Sequence, residues 1–157
     1  MGKELEYKYL VINNSFLEKA TAKIEIKQGY LTRHTGRSVR IRIAGEKAFI
    51  TIKGPEIEGI GRDEFEYQIP LTDGEAMLNL CQPQIIVKTR YIVPFENETW
   101  EVDVFHHNLS GLVLAELEVQ SYNHTFNLPD FVGKNVTNDA RFKNTNLTSY
   151  STLEPTL

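Results

Sequence analysis

The sequence predicts an all-β fold with a few short helices. Three observations carry this prediction. Apolar and charged residues alternate along most of the chain, Gly, Pro and Asn punctuate the alternating runs, and helical periodicity is confined to short stretches. The elements follow in order. Glu4-Leu5-Glu6-Tyr7-Lys8-Tyr9 puts charge on one face and apolar bulk on the other, the period-2 pattern of a half-buried strand. Ser15 predicts the cap of a short helix through Phe16, Leu17 and Ala20. Residues 24–31 form a weaker strand, with Gly29 expected as a bulge. Val39-Arg40-Ile41-Arg42-Ile43 and Ala48-Phe49-Ile50-Thr51-Ile52-Lys53 make a hairpin about Ala44-Gly45-Glu46, ended by Gly54-Pro55. Residues 62–69 alternate again. Thr72-Asp73-Gly74-Glu75 fits a capping box, with Thr72 as N-cap and a helix over residues 76–80 that Pro83 ends. Strands are expected at 85–95, 99–105 and 113–120, with Glu96-Asn97-Glu98 as the turn between the first two. The Asn-rich tail from Pro129 reads as loop plus a short helix near 147–150.

About eight strands with one apolar and one charged face leave two architectures. One is an open antiparallel sheet with a solvated face. The other is a closed barrel with its charged face outside or inside. Alternation does not choose between them.

Composition narrows the function. At 157 residues the chain is expected to form one domain, 1–157, with a sizeable core. A net charge of -4 argues against a nucleic-acid partner but leaves room for a local anion site. Cys81 is the lone cysteine, so no internal disulfide forms. No signal peptide and no apolar span is visible, so the expected location is cytoplasmic, with no membrane partner.

The charges on the polar face are unusual, because they come as i, i+2 pairs of one sign. Glu4/Glu6, Glu64/Glu66, Glu101/Asp103 and Glu116/Glu118 are acidic, whereas Arg40/Arg42 and Lys88/Arg90 are basic. Lys8, Lys53 and Arg62 are expected on the same side. Such neighbours lie about 6.5–7 Å apart. In a cleft, two like charges at that distance repel by about 2 kcal/mol at an effective dielectric of 20. Carboxylate pairs suit a hard divalent cation, and Arg pairs suit phosphate oxygens. The competing reading is a water-exposed face with cross-strand ion pairs.

Further residues give the series specificity. Glu4-x-Glu6-x-Lys8 is followed by Gln28-Gly29-Tyr30-Leu31, Val39-Arg40-Ile41-Arg42, Thr51-Ile52-Lys53-Gly54, Arg62-x-Glu64-x-Glu66 and Lys88-x-Arg90-Tyr91. Then come Trp100-Glu101-Val102-Asp103-Val104-Phe105, Gly111-Leu112 and Ala115-Glu116-Leu117-Glu118. In this order, from Glu4 to about Leu147, the chain resembles the CYTH superfamily, the triphosphate tunnel metalloenzymes. The resemblance implies a closed eight-stranded antiparallel β-barrel whose charged face lines a tunnel, with helices packed outside. It implies metal-binding carboxylates at Glu4, Glu6, Glu116 and Glu118, with Glu64 and Glu66 in the same acidic lining, for Mg²⁺ or Mn²⁺. Phosphate-binding cations would be Lys8, Arg40, Arg42, Lys53, Arg62, Lys88 and Arg90, and Arg141 matches a C-terminal segment that closes against the barrel. Lys8 is a candidate to orient the attacking water, and Tyr30 and Lys88 match a catalytic pair of some bacterial members. Two departures stand out: Asn135 replaces a common Glu, and His107 stands where a Gly often follows the Val-Asp-Val-Phe run.

The expected activity is hydrolysis of inorganic tripolyphosphate, extending to nucleoside triphosphates. Adenylate cyclase, thiamine triphosphatase and a non-catalytic polyphosphate-binding module remain open, and a homodimer is a weaker expectation from the family. The remaining distinctive residues have plainer readings. Tyr30 could equally be a half-buried strand aromatic. His34, His106, His107 and His124 read as turn residues, Cys81 as packing, and Trp100 as core or barrel exterior. Leu5, Tyr7, Val39, Ile41, Ile50, Ile52 and Leu117 are expected to face outward under the helices.

Overall fold

The computed structural model describes residues 2–149 apart from 35, 59–60 and 82–83, with side chains from Glu4 onward. Among the described residues there are ten strands: β1 (Gly2–Glu4), β2 (Glu6–Val11), β3 (Ala22–His34), β4 (Arg37–Ala44), β5 (Lys47–Lys53), β6 (Arg62–Ile69), β7 (Ile86–Phe95), β8 (Glu98–Phe105), β9 (Val113–Glu118) and β10 (Val132–Asn135). The helices are short: α1 (Phe16–Lys19), α2 (Leu71–Leu78), α3 (Asn144–Leu147) and 3-10 turns at His107–Leu109 and Ala140–Phe142. Among the described residues, no helix is long and apolar enough to cross a membrane.

The strands form one antiparallel sheet in the order β1-β6-β5-β4-β3-β7-β8-β9-β2-β10. β1 and β2 are halves of one N-terminal strand, separated only by Leu5. The first half pairs with β6, placing Glu4 opposite Arg62, and the second pairs with β9, placing Glu6 opposite Glu118. One strand therefore joins both ends of the sheet, and the ten-stranded order becomes a ring of eight with β10 added beside β2. Gly61 permits the junction: at φ +93, a Cβ there would stand 2.4 Å from the Glu4 carbonyl oxygen.

Directly opposed residues of a ladder share a face, so the register assigns every side chain to the inside or the outside. Leu5, Tyr9, Val93, Trp100, Val102, Ala115 and Leu117 fall outside and form the main apolar core with Phe16 of α1 and Phe131. Trp100 is fully buried in that outer layer, with its ring 5.7 Å from Tyr9 and 5.9 Å from Phe126. α2 covers β3 to β5, where Gly74 permits close contact with Ala48. Ile41 is buried outside as expected, but Ile52 stays 42% exposed and so lacks the expected helical cover.

Three local expectations change. The β3–β4 register shifts between Tyr30 and Thr32, not at Gly29, which pairs regularly with Ile41. Gly29 instead lets β3 approach the segment after α2, since a Cβ would sit 2.6 Å from Cys81 Cβ. α2 starts before Thr72: the Pro70 carbonyl accepts from Gly74 N, so Thr72 lies inside the first turn and caps nothing. Its tightening end stops at Leu78, before Leu80, and Pro83 lies outside the described residues. Ser15 does precede α1, yet its hydroxyl donates to Asp130 rather than capping. The C-terminal helix is α3, ending at Leu147; Tyr150 lies outside the described residues.

Candidate active site

Following the register inward from Glu4 gathers the charged pairs on one surface. Glu6 opposes Glu118, Lys8 opposes Glu116, and Glu116 opposes Glu101. Arg90 opposes Asp103, Tyr30 opposes Arg40, Arg40 opposes Thr51, and Lys53 opposes Glu64. Farther along this inner face, the charges give way to Leu10, Ile86, Phe105 and Leu114. These pack with Val136, Phe142 and Leu147 of the C-terminal segment as an apolar plug. Beside the charges opens a cavity of about 1750 Å³, bordered by Glu6, Lys8, Tyr30, Arg33, Lys53 and Arg62 among others.

A continuous ionic network occupies the deep part. Lys88 Nζ donates to Asp103 at 2.7 Å, and Arg90 donates to both Asp103 oxygens at 2.8 and 2.9 Å. Arg90 also reaches Glu116 at 3.3 Å, and Glu116 lies 3.8 Å from Lys8 Nζ. Lys8 donates in addition to the Phe142 carbonyl at 2.8 Å, tying the site to the plug. Burial pushes Glu116 up, but Lys8, with Arg90 and Lys88, outweighs it and holds the carboxyl down at about 2. Burial likewise opposes charge on Lys8, yet Glu116 and Glu6 keep it protonated more firmly than a free lysine. At Lys88 burial wins over Asp103 and pulls the ammonium down to about 8.

Two regions are left electrostatically unsatisfied, with opposite signs. Burial, followed by repulsion from Glu116 and Glu4, pushes Glu6 well above the usual carboxylate range. Burial, then Glu4 and Glu101, also raises Glu118. Across the barrel, burial and the charges of Arg40 and Arg90 push Arg42 down to about 9; its Nε donates to the neutral Gln28 Oε1 at 2.8 Å. A hard cation would relieve the first region and an anion the second. Four carboxylates thus influence one another: Glu4, Glu6, Glu116 and Glu118. Their all-oxygen chemistry fits Mg²⁺ or Mn²⁺, although among the described residues no three such groups already converge as a ready-made metal site.

The other expected residues are placed as follows. Glu4 pairs with Lys53 at 2.7 Å, and Lys53 also lies 3.5 Å from Glu64. Glu66 is held by Thr51 at 2.8 Å and by Arg40 at 3.4 Å. Arg62 donates to the Gly54 carbonyl at 3.1 Å. Tyr30 is buried and borders the cavity, within electrostatic reach of Lys8 and Arg42. Lys88 bonds to Asp103, and no hydrogen bond among the described residues joins it to Tyr30. The Arg141 guanidinium is engaged by Asp139 at 2.6 Å and lies over Phe142. Asn135 accepts from Thr137 N at 2.9 Å, and Thr137 Oγ1 accepts from Lys8 N at 3.0 Å.

Among the described residues, no histidine falls in a group of three or more His, Cys, Asp or Glu that could hold a metal. His106 bonds Thr89, His124 pairs with Glu98, and His34 borders the cavity. His107 adopts φ +55, a backbone state that favours glycine. The sequence reading assigned no role to Asp103 or Gln28. Asp103 had a signal, its place beside Glu101 in an acidic pair, but its central position depends on the register with Arg90. Gln28 stands in the Gln28-Gly29-Tyr30-Leu31 run, but being uncharged it belonged to neither set of paired charges.

The family model of the CYTH domain matches residues 2–149. The inorganic triphosphatase of Acetivibrio thermocellus is 42% identical over 149 residues, covering 94% of each chain. The inorganic triphosphatase of Nitrosomonas europaea is 34% identical over 145 residues, covering 90% of this chain and 93% of its own. Among solved structures, that of the inorganic triphosphatase NE1496 superposes with a TM-score of 0.67 at 31% identity, covering 94% and 95% of the two chains. A putative adenylyl cyclase from Hippeastrum, with a dominant triphosphatase activity, shares the fold at TM-score 0.57 and 14% identity, over 75% and 80%.

Proposed function

The chain belongs to the CYTH domain family, and from that premise we propose that it is a metal-dependent triphosphatase that hydrolyses inorganic tripolyphosphate inside the barrel. The observation that carries this reading is two regions of opposite charge on one inner face: Glu6 opposite Glu118, and Arg42, bonded only to the neutral Gln28 among the described residues, on the same strand face as Arg40. Like charges gathered this closely cost free energy in each region, and a metal-triphosphate complex would relieve both.

Glu4, Glu6, Glu116 and Glu118 would hold Mg²⁺ or Mn²⁺, with Glu64 and Glu66 as outer members of the acidic lining. A divalent cation there supplies charge neutralisation at a terminal phosphate oxygen and a lower pKa for bound water. The chain's own residues do the rest. Arg40, Arg42, Lys53, Arg62 and Arg90 bind the polyphosphate oxygens, because phosphoryl transfer depends on positioning and on stabilising spread negative charge. Lys8, kept charged by Glu116 and Glu6, stands beside the carboxylates to orient the attacking water. Lys88, its proton loosened by burial, stabilises charge on the departing phosphate, and the Tyr30 hydroxyl positions the phosphate chain. Arg141, paired with Asp139, is a further candidate for the phosphate chain from the C-terminal segment. A cytoplasmic location fits the lone cysteine.

The test is phosphate release from tripolyphosphate, ATP and thiamine triphosphate with Mg²⁺ or Mn²⁺. Tripolyphosphate is the expected best substrate. Tight binding without turnover of any of the three would make the barrel a binding module, and cyclic AMP as the main product from ATP would make it a cyclase.

A further inference from the structure

Among the described residues, two donors on the inner face are buried and unpartnered: Gln28 Nε2 and Arg40 Nε. Gln28 is 0% exposed and Arg40 4%. Gln28 opposes Arg42 across the β3–β4 ladder, and Tyr30 opposes Arg40, so Gln28 and Arg40 are diagonal neighbours on one face. The orientation of the Gln28 carboxamide is fixed chemically. Arg42 Nε can only donate, so the group 2.8 Å from it must be the oxygen, and the NH₂ points away from Arg42. A buried donor in this state is costly, and a leucine or methionine of similar size would avoid the cost.

The surroundings suggest what the donor meets. Arg40 and Arg90 already repel Arg42 here. A lysine at position 28 would add to that repulsion, whereas an amide adds a hydrogen-bond donor without charge. We propose that Gln28 is a substrate-binding residue whose Nε2, on the face it shares with Arg40, donates to a non-bridging oxygen of the bound polyphosphate. The inference rests on the triphosphatase reading.

Q28E separates this role from that of a mere support for Arg42. The variant keeps an acceptor for Arg42 Nε, but replaces the donor with an oxygen that repels phosphate. Q28M removes both groups at similar volume. Kinetics with tripolyphosphate, calorimetric binding of tripolyphosphate and the melting temperature are measured for each. Expected for Q28E is a melting temperature at or above that of the unmodified protein, with KM raised about 10- to 100-fold. Q28M should raise KM about tenfold. In the unmodified protein, the ¹⁵N-labelled Gln28 side-chain amide should shift when tripolyphosphate is added, a readout that does not depend on how the variants fold. Unchanged KM in Q28E or Q28M, or an unmoved Gln28 amide signal, overturns the inference while leaving the triphosphatase reading intact. If the unmodified protein does not turn over tripolyphosphate, the triphosphatase reading itself fails.

Discussion

Asp103→Asn tests the buried network most directly. Asp103 is 1% exposed and its carboxylate bonds Lys88 and Arg90, which are 0% and 8% exposed. Burial alone would push Asp103 up, but Lys88 and Arg90 outweigh it and hold the carboxyl far below its ordinary range. Asparagine keeps the shape and removes the charge, leaving two buried cations against Glu116. Losing one partner of such a group costs about 3–5 kcal/mol, a large share of the roughly 5–15 kcal/mol that holds a domain folded. With a urea m-value of about 2 kcal/mol/M, the midpoint should fall by about 1.5–2.5 M. The pH dependence gives a second check. Lys88 already sits at about 8, below its ordinary value, so its charge costs stability below that pH, and the cost is relieved as pH rises from 8 to the unfolded value. Removing Asp103 lowers the Lys88 value further and opens this window at lower pH. The stability gap between variant and unmodified protein should therefore narrow as pH rises toward 8. A variant as stable as the unmodified protein, or a gap constant from pH 6 to 8.5, would refute the reasoning.

Two further substitutions probe the rest of the barrel. Glu6→Gln should reduce metal-dependent turnover by more than about 100-fold, since even residues behind a metal ligand cost 10- to 100-fold. The same change should raise the melting temperature at pH 7–8 in EDTA. Burial, Glu116 and Glu4 lift the folded Glu6 value, so its ionisation costs stability as pH rises above the unfolded carboxyl value; at pH 4 the two proteins should melt alike. Retained activity would remove Glu6 from the proposed metal site. Phe142→Ala should lose about 3–5 kcal/mol in thermal unfolding, as expected for an aromatic removed from a packed cluster; Phe142 is 3% exposed in the apolar plug. A loss below 1 kcal/mol would mean that the plug frays without cost.

Much of this architecture was legible in the residues. A strand places alternate side chains on opposite faces, so Glu4, Glu6 and Lys8 had to share one surface and Leu5, Tyr7 and Tyr9 the other. The paired signs, Glu116/Glu118 and Arg40/Arg42, suited a metal and a phosphate as well as a solvated face, and left both readings open. Local detail was harder to read. Thr72 lies inside the first turn because the helix already starts at Leu71, and the register shift falls after Gly29, whose missing Cβ instead permits close packing against Cys81.

Periodicity by itself determined which residues travel together, because side-chain direction along a strand is a local property of the backbone. It did not determine whether the charged set faced water or a common interior. That was decided when the N-terminal strand bonded to β6 through one half and to β9 through the other, bending the sheet into a ring. The ring brought Asp103 between Lys88 and Arg90, left Gln28 with an idle donor and carried Phe142 into one end, because contacts between distant strands depend on register and closure, which no short stretch of sequence encodes.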